Sequence, residues 1–307
     1  MKACFFGMGS IGMRHARNLR AILEKSGKKV EIHAFRSGKS GDLAEGLTEK
    51  SVANWQDLEP PYDAIFITNP TALHYKTLLL AEPLGRSFFI EKPVFHSSSV
   101  ANELNASFAG RTIHVACPMR FHPIIEHLKT RLPGKVLAAR LLCSSYLPEW
   151  RKGQDYRTVY SARRELGGGV ALDLIHELDY ARWLFGEPEK VVRVSGKFSA
   201  LETDCDDGAA YIMTCGGRLV EVHLDYFGRK PRRELELFCE EDIFACDFLQ
   251  RKITALVSGE IMTFQQEDIY QKEMAYFIDL TERGGHSFNT LEDGVSTLLI
   301  AEGGKSL

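Results

Sequence analysis

Six residues near the N-terminus, Gly7-Met8-Gly9-Ser10-Ile11-Gly12, restrict the fold more than any other stretch of this chain. The apolar run Ala3–Phe6 precedes them, and Ser10–Lys25 follows with Ile11, Leu19, Ile22 and Leu23 near one helical face. Strand, glycine turn and helix together are the context in which G-x-G-x-x-G reads as a dinucleotide-binding turn. Gly7 permits the tight turn, Gly9 lets backbone approach a pyrophosphate, and Gly12 lets the helix pack closely on the strand. Ser10 and Ile11 open the helix, whose free N–H groups and positive dipole end suit a phosphate.

Four more apolar runs follow, Val30–Phe35, Ala64–Thr68, Ser87–Ile90 and Thr112–Ala116, separated by helix-like segments. Strands that alternate with helices predict βαβ units and a doubly wound parallel sheet. After about residue 122 the texture changes. Pro123–Leu132 reads as a helix, Val136–Tyr146 as a strand, and Gly167–Gly169 opens a strong helix that runs through Leu184. From Val191 to Gln265 the chain is mostly strand-like, with hairpins expected around Cys215-Gly216-Gly217-Arg218 and Glu240-Glu241-Asp242. Helices near Tyr270–Arg283 and Leu291–Glu302 close it. The expectation is a Rossmann-type domain over residues 1–122, followed over residues 123–307 by an α+β domain with a large, mainly antiparallel open sheet. So few helices cannot cover both faces of that sheet. A homodimer or homotetramer through it is therefore expected, with Val220, Val222, Leu224 and Tyr226 lining one face.

Several residues carry chemistry. The second strand ends at Arg36-Ser37-Gly38-Lys39, where NAD-binding domains usually place an acid for the ribose hydroxyls. A cation with a hydroxyl beside it suits a 2′-phosphate instead, so Arg36, Ser37 and Lys39 favour NADP over NAD. The run ending at Ile90, taken as the fourth strand, leads into Glu91-Lys92-Pro93. A lysine at the carboxyl end of such a strand can stabilise charge on a substrate oxygen. A solvated surface charge is the competing reading. Further on, Asp173, His176 and Tyr180 stand three and four residues apart and share a face if the helix is continuous, with Asp179 also near. A histidine flanked by acids suits general acid–base work, a carboxylate fixing its tautomer. An ion-pair cluster on a helix surface uses the same spacing.

Composition removes other classes. With 41 acidic and 38 basic residues the 307-residue chain has no general attraction to nucleic acid or to an anionic membrane. Seven cysteines, odd in number and without a C-x-x-C pair, argue against a disulfide framework or a structural zinc, and for a reducing compartment. No metal site is expected. The apolar run before Gly7 is too short for a signal-peptide core, and no stretch approaches a membrane span, so a cytoplasmic location is expected.

Together these features resemble the Gfo/Idh/MocA oxidoreductases. The resemblance is carried by Gly7–Gly12 with His15, Thr68-Asn69-Pro70-Thr71 with His74, Glu91-Lys92-Pro93, Arg120-Phe121-His122-Pro123, and the glycine-rich helix with Asp173, His176 and Asp179. It implies a Rossmann domain, a second domain with an open sheet, and NAD(P)-dependent hydride transfer on sugars or related alcohols and ketones. It further implies that Lys92, Asp173 and His176 are catalytic. Thr68, Asn69, Pro70, His74, Glu91 and Lys92 would lie at the cofactor, and Arg120 and Asp179 at the substrate. Two departures stand out. The family commonly reads D-x-G-x-H, whereas this chain has the shorter Asp173-Leu174-Ile175-His176, and a frequent Tyr-Asn pair before the arginine is replaced by Pro118-Met119. The segment around Trp150, Arg151 and Tyr156 is similar to a branch associated with surface-sugar synthesis, which implies a nucleotide-linked or amino sugar held by those residues. Two rival readings are a sugar–sugar oxidoreductase that keeps its cofactor bound and a non-catalytic dinucleotide sensor.

Overall fold

The computed structural model describes residues 1–36, 46–103, 108 and 110–304. Contacts group the chain into two compact units, Met1–Ala116 with Asp268–Val295, and Cys117–Glu267 with the residues from Ser296 onward. This differs from two contiguous pieces meeting at 122/123. The helix Ile269–Arg283 belongs with the first unit because Met274, Phe277 and Ile278, on one helical face, are buried in the same cluster as Phe5, Phe66 and Phe89.

The first unit holds strands β1 (Lys2–Phe6), β2 (Glu31–Phe35), β3 (Lys50–Val52), β4 (Tyr62–Ile67), β5 (Gly85–Ile90) and β6 (Thr112–Val115) in the order β3-β2-β1-β4-β5-β6, all parallel. The order reverses between β1 and β4, and ligands of such sheets gather outside the carboxyl ends of the strands at that point. Helices α1 (Ser10–Lys25) and α2 (His74–Ala81) lie in the crossovers. Strands covered on both faces read as continuous apolar runs, which is why Phe5 and Phe66 stack at 4.2 Å inside the sheet core. The sequence reading lacks β3, whose Lys50-Ser51-Val52 is short and half polar at the sheet edge. The strand ahead of Glu91 is therefore the fifth along the chain, not the fourth.

The second unit carries β7 (Val136–Tyr146), β8 (Pro188–Gly196), β9 (Gly208–Cys215), β10 (Arg218–Asp225), β11 (Phe227–Cys239), β12 (Ile243–Asp247), β13 (Lys252–Ala255) and β14 (Ile261–Thr263). Their order is β14-β13-β12-β11-β7-β10-β9-β8, with β7 and β10 parallel and the other neighbours antiparallel. Both expected hairpins are present. The β9–β10 turn is Gly216-Gly217, with φ of 56° and 74°, the left-handed pair that a two-residue hairpin needs. Helices α3 (Pro123–Thr130), α4 (Val170–Asp173) and α5 (His176–Phe185) belong to this unit, and α4 and α5 pack against β10.

The side chains assigned to an open face lie on the covered one. Val220, Val222, Leu224 and Tyr226 are fully or almost fully buried within the single chain. The opposite face exposes Leu137, Val192, Val194, Ile212 and Leu219. Alternation in a sequence reveals the two faces of a strand but not which one the helices cover.

No helix among the described residues is long and apolar enough to cross a membrane. All seven cysteines are free, and all but Cys239 are buried.

Candidate functional site

Strand β1 hands directly to the glycine turn. Gly7 takes φ +101°, and a Cβ there would fall 2.6 Å from the Asn69 backbone nitrogen. A Cβ on Gly12 would fall 2.4 Å from the Gly7 carbonyl oxygen. Both glycines are thus fixed by protein packing, whereas a Cβ on Gly9 would meet nothing within 4 Å. Thr68 Oγ1 donates to the Gly7 carbonyl at 2.6 Å and so ties the end of β4 to the turn. Asn69 Nδ2 donates to Thr77 Oγ1 at 2.8 Å, while its buried Oδ1 has no hydrogen-bond partner among the described residues. An orphaned acceptor beside a bare glycine turn, at a helix N-terminus with no acid in its first turn, fits a dinucleotide. Arg36 follows β2 and its N–H donates to the Val52 carbonyl at 2.9 Å. Ser37 and Lys39 lie outside the described residues.

Lys92 follows β5 and is half-buried, with a cis bond to Pro93. Its neighbour Glu91 is buried, with Oε1 2.5 Å from His15 Nε2 and Oε2 accepting the Lys92 N–H at 3.1 Å. Burial opposes the charge on Glu91, but the His15 hydrogen bond, with the nearby Lys92 charge, outweighs it and holds the carboxyl below its usual value. His74 is buried between two loops. Its Nδ1 lies 3.0 Å from the Pro93 carbonyl oxygen and its Nε2 2.9 Å from that of Asn69, and burial lowers its pKa. Glu91 and His74 thus brace the cofactor side of this unit from within.

In the second unit the strong helix expected through Leu184 is broken. Helix α4 ends at Asp173, Leu174 and Ile175 form a turn, and α5 starts at His176. Asp173, His176 and Tyr180 therefore do not share one continuous helical face. The glycines before α4 have a packing cause, because a Cβ on Gly168 would fall 2.2 Å from the Tyr160 carbonyl oxygen, and Gly167 and Gly169 take φ of +88° and +126°. This close approach brings the loop carrying Tyr160 against α4. Asp173 accepts hydrogen bonds from Tyr160 and, at 3.1 Å, from Tyr226. Sequence reasoning missed both partners. The three glycines signalled that some backbone comes close, but not which one.

The two acids of α5 each have a cation. Asp179 receives Arg120 Nε at 2.9 Å and a terminal guanidinium nitrogen at 2.7 Å, with both residues buried. The Arg120 guanidinium also sits 4.5 Å from the Trp183 ring centre. Glu177 pairs with Arg233 at 2.6 Å. His176 is buried at the start of α5. Trp150, Arg151 and Tyr156 do come together, lining one small crevice with Leu147, Val159 and Ser161. Trp150 Nε1 donates to Ser145 Oγ at 2.9 Å, and the Tyr156 phenol oxygen accepts the Glu202 N–H at 3.0 Å.

Comparison with known proteins agrees with this architecture. Residues 1–116 match the oxidoreductase family with an NAD-binding Rossmann fold, and residues 126–245 match the GFO/IDH/MocA C-terminal domain. The oxidoreductase YrbE of Bacillus subtilis (strain 168) is 32% identical over 64% of this chain, a match spanning 56% of that protein's own length. UDP-N-acetylglucosamine 3-dehydrogenase of Acidithiobacillus ferrooxidans is 25% identical over 82% of this chain and 76% of its own. A solved structure of UDP-N-acetylglucosamine 3-dehydrogenase from that organism superposes with a TM-score of 0.81 at 22% identity, covering 98% of this chain and 95% of the other.

Proposed function

The chain belongs to the Gfo/Idh/MocA family of oxidoreductases, and from that membership we propose that it oxidises or reduces a sugar-like secondary alcohol or ketone with NADP(H). The observation that carries the reading is the glycine turn, closed by protein at Gly7 and Gly12 and open at Gly9. When bound, the nicotinamide supplies the hydride donor or acceptor. Gly7, Gly9, Ser10, Ile11 and Gly12 hold the diphosphate, and Thr68, Asn69 and Pro70 border it. Arg36, with Ser37 and Lys39, takes the 2′-phosphate, for which a guanidinium offers paired charge-assisted donors.

On the substrate side, Lys92 steadies charge on the reacting oxygen through its ammonium. His176 accepts or returns the hydroxyl proton. Asp173 acts through the tyrosines it binds. Trp150, Arg151 and Tyr156 hold the sugar, and Arg120 with Asp179 shapes the pocket through the pair they form. Similarity to a UDP-N-acetylglucosamine 3-dehydrogenase supports a nucleotide-linked or amino sugar as the substrate class. Free thiols throughout support work in a reducing cytoplasm.

The test is binding of NADPH and NADH, followed by nucleotide fluorescence, to the native protein and to Arg36→Ala. Losing a charge-assisted contact of about 1.5–3 kcal/mol weakens NADPH roughly ten- to hundredfold. NADH binding should barely change. Equal loss for both cofactors removes the NADP preference, and failure of the native protein to bind either overturns the whole reading.

A further inference from the structure

We infer that His15 and Glu91 are positioning residues for Lys92, forming a buried strut from the glycine-turn helix to the Lys92 backbone. The inference rests on the reading of Lys92 as the residue that acts on the substrate oxygen.

His15 lies one turn into α1 and is fully buried. Its ring is wedged by Phe89 at 4.7 Å and Tyr270 at 6.1 Å between centres. Its Nδ1 is buried and has no hydrogen-bond partner among the described residues, so the ring proton belongs on Nε2, which faces Glu91 Oε1. A carboxylate only accepts, so the Nε2–H donates to it. The other carboxylate oxygen takes the Lys92 N–H. One carboxylate therefore joins the helix that would carry the dinucleotide phosphates to the peptide that carries Lys92. On the far side of Lys92, His74 lies within 3.0 Å of the Pro93 carbonyl oxygen and 3.2 Å of that of Val94. The Lys92 segment is held from both flanks.

A role in stability alone does not account for the strut. Apolar residues of the same shape can replace both partners of a buried hydrogen bond at little cost. The polar pair makes sense here because its second oxygen ends on the backbone of Lys92.

The experiment reads Lys92 directly, without a substrate. The full-length protein is labelled with trace acetic anhydride at one mildly alkaline pH, and acetylation of the Lys92 peptide is quantified by mass spectrometry. Glu91→Gln keeps the shape and loses the charge. The Lys92 N–H should then lose its charged acceptor, and acetylation of Lys92 at a fixed, mildly alkaline pH should rise about threefold, as for the loss of part of one hydrogen bond. His15→Phe should alter Lys92 labelling in the same direction. His15→Gln, which offers an N–H where the imidazole did, should restore it. Far-ultraviolet circular dichroism and thermal melting verify the fold, and if His15→Phe does not fold, Glu91→Gln and His15→Gln decide. Native-like Lys92 acetylation in a folded Glu91→Gln overturns the inference. Turnover that survives in Lys92→Ala would instead overturn the catalytic reading of Lys92 and leave the labelling result standing.

Discussion

The phenol of Tyr226 donates to Oδ2 of Asp173 at 3.1 Å, and Tyr160 donates to Oδ1 of the same carboxylate. Asp173 is the last residue of α4, so two phenols from different segments grip the point where the helix breaks. This gives Asp173 a definite task within its own unit, that of fixing the loop that carries Tyr160. Burial, with the charge of Asp173 next, holds the Tyr226 phenol well above its usual pKa.

Asp173→Asn leaves only one accepting oxygen on the side chain, so one phenol loses its partner. The expected cost is about 1–3 kcal/mol in urea unfolding, and Tyr226→Phe should cost about 1 kcal/mol. The double variant should lose less than the sum, because the residues touch. Strict additivity would mean that the contact contributes nothing. The sign of the pH effect follows from the raised pKa. Tyr226 should remain un-ionised in the folded protein when exposed tyrosines titrate near pH 10, so Tyr226→Phe should leave the native ultraviolet phenolate titration unchanged there.

Gly7 and Gly9 should part company on mutation. An alanine at Gly7 meets the Asn69 backbone and has to adopt a φ of +101°, so it should fold poorly or melt far below the native protein. At Gly9 an alanine meets nothing, so thermal stability should stay near native. If the turn approaches a pyrophosphate there, Gly9→Ala should still weaken NADPH binding by an order of magnitude or more, on the order of 1.4 kcal/mol. Native affinity in Gly9→Ala would show that the ligand backbone does not pass this glycine.

Much of this fold was legible because its parallel strands are buried on both faces and so read as apolar runs, with a glycine turn marking the first crossover. What escaped had physical reasons. Lys50-Ser51-Val52 is an edge strand stabilised by pairing with β2 and has no apolar pattern of its own. The break between Asp173 and His176 was hidden because Leu174 and Ile175 are ordinary helix residues, and tertiary packing overrode their propensity. For the candidate site, residue types and spacing singled out the glycine turn, Lys92 and His176 as candidates. They could not reveal that Arg120 and Asp179 bind each other, or that Asp173 binds two tyrosines, because those partners are distant in sequence.

The face of the second sheet opposite α4 and α5 sets the prediction for assembly. Val192, Val194, Ile212 and Leu219 are exposed there on three adjacent strands, interspersed with the Arg140–Glu221 pair at 3.0 Å. An apolar patch rimmed by charges is the usual mark of a self-complementary interface. The native protein should run as a dimer or tetramer by light scattering at micromolar concentration. Ile212→Glu combined with Leu219→Glu should shift it toward monomer, and Val222→Glu should unfold it, because that side chain is buried within the chain. A monomeric native protein would refute the assignment.

His176 and Lys92 should fail in different ways. If His176 accepts the alcohol proton it must be neutral to do so, and oxidation should then slow as the pH falls. His176→Ala should lower turnover by roughly 10²–10⁴-fold, flatten that acid limb, and leave NADPH affinity unchanged. Lys92→Ala should be comparably damaging, because it removes stabilisation of charge on the reacting oxygen, whereas Lys92→Arg should recover part of the rate by keeping the charge. Stopped-flow measurement of nicotinamide absorbance separates the chemical step from binding. If His176→Ala turns over near the native rate across the pH range, the histidine is structural. The proton then passes to a phenol, and Tyr160, already hydrogen-bonded to Asp173, is the one to replace next, ahead of Tyr156, whose phenol oxygen is engaged by the Glu202 backbone.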